Sequence, residues 1–322
     1  MNELARVDTT RESLVAAELL GDAQEFAANA KADNTRLAYQ KDWQSFVRWA
    51  QKRGLVSLSA TPTTVALYIT ALANDRLKVS TIARAIVSIS QAHKLAGFES
   101  PCAKAEVHEV MKGIRRTLGV APVQKSPVCI PELRAMLATL GNKPIDIRNR
   151  ALVLIGFAGA FRRAELVAIA FDDVRETSEG LEINLRRSKT DQEGAGRKIG
   201  IPFGSNHKTC PVRAYRAWLT VSRVSCGAIF RRIDRHGRLH DERLAPQAVA
   251  IVVKRMAAAA GLDPRTFSGH SLRSGLLTAA AKAGKDRRVL KRQSGHRSDK
   301  MLDLYIRDAD IFDDNAAAGI GL

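Results

Sequence analysis

The chain has 322 residues, long for one domain and ample for two, each with its own core. Hydrophobic residues at 45% and charged residues at 26% describe a soluble globular protein, but a net charge of +18 favours a polyanionic partner, nucleic acid first. Cys102, Cys129, Cys210 and Cys226 form no C-x-x-C pair and stand at no zinc-finger spacing, which excludes a disulfide framework and a zinc site.

The N-terminus lacks a secretory apolar region, and the longest apolar run, ALVLIGFAGAF at 151–161, is too short to span a bilayer. A cytoplasmic, nucleoid-associated protein with no membrane partner is expected. The charge is uneven. Residues 1–30 carry −4, so the rest of the chain carries +22, and Asp308, Asp310, Asp313 and Asp314 turn the extreme C-terminus acidic again.

In chain order, the first half reads as helices. Tyr39, Trp43, Phe46, Val47 and Ala50 recur at helical spacing and stop at Gly54. Thr61 and Pro62 open a second helix that aligns Val65, Ile69 and Leu72. Ile82, Ile86, Ile89 and His93 form a third stripe ending at Gly97, with His93 read as a core histidine. Arg84, two residues past Ile82, points away from that stripe and is expected to be free for an external partner. The stretch TLGVAPVQKSPVCIP at 117–131, rich in Gly and Pro, has no apolar period and reads as a linker. Beyond it Leu133, Met136, Leu137 and Leu140 start a second domain.

One β signal follows: Leu181, Ile183 and Leu185, then Ile199, Ile201 and Phe203, alternate on either side of a Gly-containing turn, a hairpin with Lys189 at the end of its first strand or in the loop. The remainder reads as helices again.

Two motifs near the C-terminus carry chemistry. GHSLRSG sets His270 and Arg273 one helical turn apart, and SGHRSDKMLDLYIR sets His296 behind a glycine, nine residues before Tyr305. A metal site is disfavoured, because the neighbours of His270 are Ser, Leu and Arg, and Arg273 on the next turn would repel a cation. No G-x-S-x-G elbow and no P-loop occurs. What remains is a site rich in Arg, Lys and His with a tyrosine, suited to binding a phosphodiester and supplying an oxygen nucleophile. Singly, each residue has a bland reading: a packed aromatic, a solvated arginine face, a surface lysine.

Together and in order, GAFRRAEL (159–166), SKT (188–190), HSLR (270–273), GH (295–296) and Tyr305 resemble the tyrosine site-specific recombinases, or integrases, with the Cre recombinase-like branch nearest. The resemblance covers nearly the whole chain and implies a mainly α fold with a small β-hairpin or sheet, arranged as a two-domain DNA clamp. It implies an acidic N-terminal segment at 1–20, a helical core-binding domain at 21–117, an interdomain linker at 118–130, a catalytic domain at 131–305 and a tail at 306–322 that docks on a neighbouring protomer.

The roles implied are as follows. Arg162 and Arg273 clamp the phosphate, Glu165 braces them, and Lys189 protonates the leaving 5′ oxygen. His270 exchanges a proton or hydrogen-bonds the phosphate, His296 bonds a phosphate oxygen, and Tyr305 attacks phosphorus. Arg36, Ser80, Arg84, Lys125, Arg186 and Arg187 are expected DNA contacts. Cofactor and metal are expected to be none. The expected partner is double-stranded DNA with an inverted repeat, bound by a homodimer per site and a homotetramer in synapsis, with a Holliday junction intermediate. A type IB topoisomerase-like enzyme and a non-catalytic DNA-binding regulator are the alternatives. Ser274 stands where many members carry a second histidine, a departure shared by Cre-like members.

Overall fold

The computed structural model describes residues 33–120, 124–186 and 196–296, together with 298, 299, 302, 303 and 305. The chain divides into two compact units, Met1–Val123 and Gln124–Leu322.

The first unit contains α1 (Asp33–Gln51), α2 (Pro62–Asn74), α3 (Val79–Leu95) and α4 (Ala105–Leu118). Their apolar stripes meet in a core of Phe46, Val65, Ile69, Ile82, Ile89 and Met111, burial that supplies the main drive for folding. Phe46, Trp49 and Tyr68 pack with ring centroids 5.0–6.4 Å apart. Thr61 caps α2 by accepting from the Thr64 amide at 3.2 Å, with Pro62 in the first turn. His93 is fully buried. Its Nδ1 bonds the Ile89 carbonyl at 2.9 Å and its Nε2 accepts from the Ala60 amide at 3.0 Å, which fixes a neutral ring as a structural link.

Arg84 departs from expectation. It does leave the apolar face, but Nε and Nη2 donate to Asp42 at 2.7 and 3.1 Å, because α1 packs beside α3 and places that carboxylate within reach. Ser80 and Arg36 lie exposed.

The second unit holds α5 (Ile130–Ala138), α6 (Pro144–Ala158), α7 (Arg163–Ala168), β1 (Val174–Glu176), β2 (Gly180–Leu185), β3 (Arg197–Pro202) and α8 (Pro211–Ser222). It continues with β4 (Arg231–Ile233), β5 (Leu239–Arg243), α9 (Pro246–Ala259), α10 (Ser271–Lys282) and α11 (Arg287–Ser294). The apolar run beginning at Ala151 forms the buried centre of α6, a helix packed on nearly every side.

The expected hairpin is β2–β3, with Leu181 opposite Ile201 and Ile183 opposite Ile199, all buried. It gains a third strand, β1, on its other edge, and a separate β4–β5 hairpin lies where only helices were expected. Both were hidden for a physical reason. β1 is only Val-Arg-Glu, and β4–β5 is so charged that no alternation of apolar residues marks it.

The stretch expected to be linker is partly built into this unit. Ser126 N donates to Thr266 O and Val128 N to Ser271 O, both at 2.9 Å, and Val128 is fully buried. Lys125 donates to the Arg265 carbonyl at 2.6 Å, so its ammonium is engaged within its own unit. The close approach depends on Gly275: a Cβ there would stand 2.1 Å from the Val128 carbonyl oxygen. Gly275→Ala should therefore destabilise the protein by about 1–3 kcal/mol through overpacking, although Ala ordinarily favours a helix interior. Urea unfolding of the variant will check this; equal or greater stability would show that the strap is not rigidly held.

Candidate active site

The site is assembled at the ends of elements. α6 ends at Gly159, and Ala160 follows with φ of +50°, a left-handed conformation that turns the chain sharply. The Ala160 carbonyl accepts from Arg273 Nη1 at 2.7 Å. Arg162 then forms the N-cap of α7. Its amide donates to Glu165 Oε2 at 2.9 Å and its Nη1 to Oε1 at 2.5 Å, so one carboxylate holds both backbone and side chain of Arg162. Glu165 is buried, and Arg197 Nη2 lies 3.7 Å from its Oε2.

Arg273, in the first turn of α10, is completely buried. Besides Ala160 O, its Nη2 bonds His296 Nε2 at 3.1 Å, and its Nε has no hydrogen-bond partner. Burial lowers its pKa to about 10, with the positive charge of Arg162 adding to the effect. It is still a cation at neutral pH, one surrounded by dipoles.

An arginine can only donate, so His296 Nε2 must be the acceptor and Nδ1 must carry the proton in the neutral ring. Nδ1 sits 2.8 Å from Ser294 Oγ, whose own hydrogen goes to Leu290 O at 2.8 Å. Burial, then the charges of Arg273, Arg162, His270 and Arg197, pull the His296 pKa down to about 3. In this geometry no N–H of His296 is available to a phosphate oxygen, which departs from the expected contact.

His270 stands at the N-cap position of α10, and its Nε2 lies 3.1 Å from the Tyr305 hydroxyl. Desolvation in the concavity, then Arg273, Arg162 and Arg163, lower its pKa and keep it neutral at pH 7. The Tyr305 ring packs 6.0 Å from the His296 ring and against the small cluster of Leu277, Leu290 and Leu302. Ser274 turns its hydroxyl back to the His270 and Ser271 carbonyls, both at 3.2 Å.

Arg162, Glu165, His270, Arg273, His296 and Tyr305 are thus linked through one network, although they span 144 positions of sequence. Lys189 and Arg187 lie outside the described residues. Arg186 pairs with Asp173 at 2.7 Å. Among the described residues no three His, Cys, Asp or Glu side chains converge, and no helix is long and apolar enough to cross a membrane. Arg197 was missed from the sequence; its only signal there was its place opposite Leu185, at the foot of the hairpin.

Residues 131–311 match the phage integrase family, and residues 26–97 match the phage integrase N-terminal SAM-like domain. The chain belongs to the phage integrase family of tyrosine recombinases. It is accordingly a DNA-cleaving and rejoining enzyme. An integrase/recombinase XerD homolog of Selenomonas ruminantium is 40% identical over 291 residues, covering 89% of this chain and 85% of the relative.

Among solved structures, a lambda integrase dimer bound to a COC′ core site has a TM-score of 0.58 at 18% identity, covering 88% of this chain and 75% of that one. The XerH site-specific recombinase bound to a palindromic difH substrate has a TM-score of 0.57 at 17% identity, covering 80% of this chain and 70% of that one. At these identities the likeness establishes the fold.

The His296 ring gives a direct check. In the unfolded chain it takes a proton near its ordinary 6.5, whereas in the folded protein it does so only at about 3. The folded state binds fewer protons between these values, so stability is complete above pH 6.5 and falls as pH drops towards 3. Ring nitrogen NMR should find Nε2 unprotonated at about pH 5, and His296→Gln should narrow the stability gap between about pH 7.5 and about pH 4.5. A His296 ring that protonates near 6.5 would contradict the geometry.

Proposed function

We propose that this chain is a site-specific recombinase that exchanges DNA strands through a 3′-phosphotyrosyl intermediate and a Holliday junction. The carrying observation is the 3.1 Å contact between His270 Nε2 and the Tyr305 hydroxyl beside the buried Arg273.

Arg162 and Arg273 would take the two non-bridging oxygens of the scissile phosphate and offset the charge that grows in the transition state. Tyrosine ordinarily ionises near pH 10, so it needs a base to react at neutral pH. Neutral His270 presents that base: its Nε2 accepts the phenolic proton while the Tyr305 oxygen bonds to phosphorus and the bond from phosphorus to the 5′ oxygen breaks. Lys189 gives the departing oxygen its proton. Glu165 holds Arg162 and does not react. His296 Nε2 holds the Arg273 fork, and must take the other tautomer to donate to a phosphate oxygen. The phosphotyrosyl bond conserves the energy of the broken ester, so resealing needs neither ATP nor metal.

The partner proposed is duplex DNA carrying an inverted repeat, bound by two copies of the chain per site and four in synapsis, in the cytoplasm. Arg36, Ser80, Arg84, Lys125, Arg186 and Arg187 are proposed DNA contacts; Arg84, Lys125 and Arg186 must exchange their present partners to reach it. Ser274, in place of a second histidine, supports placement near the Cre-like branch. The tail from 306 on, with Ile311, Phe312, Ala316 and Ile320 at helical spacing, is proposed to dock on the neighbouring protomer. An apolar cavity of about 510 Å³ lined by Leu133, Leu154, Phe157, Leu276 and Val289, with Arg134 and Lys285 beside it, fits such an acidic apolar helix.

A nicked duplex that cannot religate should trap a protease-sensitive 3′ adduct with the wild-type chain, in the presence of chelator, and none with Tyr305→Phe. An adduct formed by the Phe variant removes Tyr305 from the mechanism. DNA affinity should fall by about 0.9 log units per contacted phosphate for each log unit of salt. Deleting residues 309–322 should leave binding to a single site intact while strongly reducing synapsis; tetramers formed equally well by the truncated chain would refute trans docking.

A further inference from the structure

Arg197 occupies the centre of the second unit's polar network without a role in the chemistry above. It is the first residue of β3 and pairs with Leu185, closing the ladder at the foot of the connection that contains Lys189. Its Nη1 donates to the carbonyls of Arg292 and Gln293 at 3.2 and 2.9 Å, the exposed acceptors at the C-terminal end of α11. Its Nη2 faces Glu165 Oε2 at 3.7 Å, whereas Arg162 Nη1 holds the other oxygen, Oε1. Gly295, at φ of +68°, makes room for it: a Cβ there would stand 2.8 Å from the Arg197 Cζ. His296 is the next residue.

The side chain is 21% exposed, yet Nε and Nη2 are buried and make no hydrogen bond. A buried guanidinium satisfied this poorly adds little net stability, since its desolvation opposes the Coulomb attraction. An apolar side chain of similar length would fill the space at lower cost. What the guanidinium alone supplies is a planar fork that bridges three separate segments at fixed spacing.

We propose that Arg197 is a positioning residue for strand cleavage: it locks the Arg162–Glu165 pair, the foot of the Lys189 hairpin and the α11 end that presents His296 into one rigid frame. The proposal rests on the strand-transfer reading of the site. In this role Arg197 acts through Arg162 by way of Glu165, and through His296 by way of the helix end. A misplacement of about 1 Å in such a frame can slow a reaction by about 100-fold.

The test uses full-length wild-type, Arg197→Met and Arg197→Lys proteins with a duplex selected from a random library. Three quantities are read: DNA affinity, the single-turnover rate of adduct formation on the nicked form, and the titration of the His296 ring. Affinity should stay within about two-fold, because the Arg197 guanidinium is turned to Glu165 and the α11 carbonyls and a positioning residue contributes no phosphate contact. The cleavage rate should fall about 100-fold in Arg197→Met, and by less in Arg197→Lys, whose single ammonium can serve Glu165 or the carbonyls but not both. The His296 ring should titrate higher in Arg197→Met, with Arg273, Arg162 and His270 left as the charged or titratable groups facing it.

Wild-type cleavage by Arg197→Met would overturn the proposal. So would a loss of rate that tracks loss of affinity and thermal stability with the His296 titration unmoved. If the wild-type chain forms no adduct, the strand-transfer reading fails. The Arg197 frame is then judged by the His296 titration, which overturns it if unchanged between wild type and Arg197→Met.

Discussion

The second unit is organised around a buried cation with only neutral groups in hydrogen-bond contact. Arg273 has no exposed surface, and its hydrogen-bonded partners are a carbonyl and an imidazole. Removing a guanidinium from water costs several kcal/mol, and dipoles return only part of it. A phosphate entering beside it would supply the missing counter-charge. Arg162 differs, because Glu165 already neutralises it. One arginine of the pair is thus held ready by a carboxylate, and the other is held in place by packing.

That arrangement explains why backbone features around the site are so constrained. Ala160 adopts a left-handed conformation so that its carbonyl meets Arg273, and strain of this kind persists only where the surroundings over-determine it. Gln293 donates to Ala158 O at 2.8 Å and Gly200 O at 3.2 Å, tying α11 to the end of α6 and to β3. The histidines follow from the same field. Surrounded by arginines and partly desolvated, both have depressed pKa values, so each keeps a lone pair at neutral pH. A neutral His270 is a consequence of the cationic site and needs no carboxylate partner.

The two units show different relations between charge and core. The core of the first is aliphatic and aromatic, and His93 is the charged-type side chain buried beside it, bonded only to backbone. The second buries charged side chains, Arg148, Glu165, Asp173 and Arg273 among them, close to apolar packing. Arg148, like Arg273, is depressed to about 10 by burial, and it donates to the Arg231 carbonyl, linking α6 to β4.

Much was legible in the sequence. Helical stripes in the first unit, the Thr61–Pro62 start, the β2–β3 pairing and His93 as a core residue all follow from local periodicity and capping, which depend on neighbours within a few positions. The order of Arg162, His270, Arg273, His296 and Tyr305 was legible too, because motif spacing is a property of the chain.

Partnership was not. Arg84 held by Asp42, Lys125 bonded to Arg265 O, Arg186 held by Asp173 and the tautomer of His296 each depend on which element packs beside which. Arg197 shows the limit most clearly: in sequence it is one basic residue among 51. Only the approach of β3, α7 and α11, permitted by the missing side chain of Gly295, turns it into the bridge between them. Periodicity and spacing set the elements and the chemistry on offer, whereas the pairing of long charged side chains is decided by distances that folding alone creates.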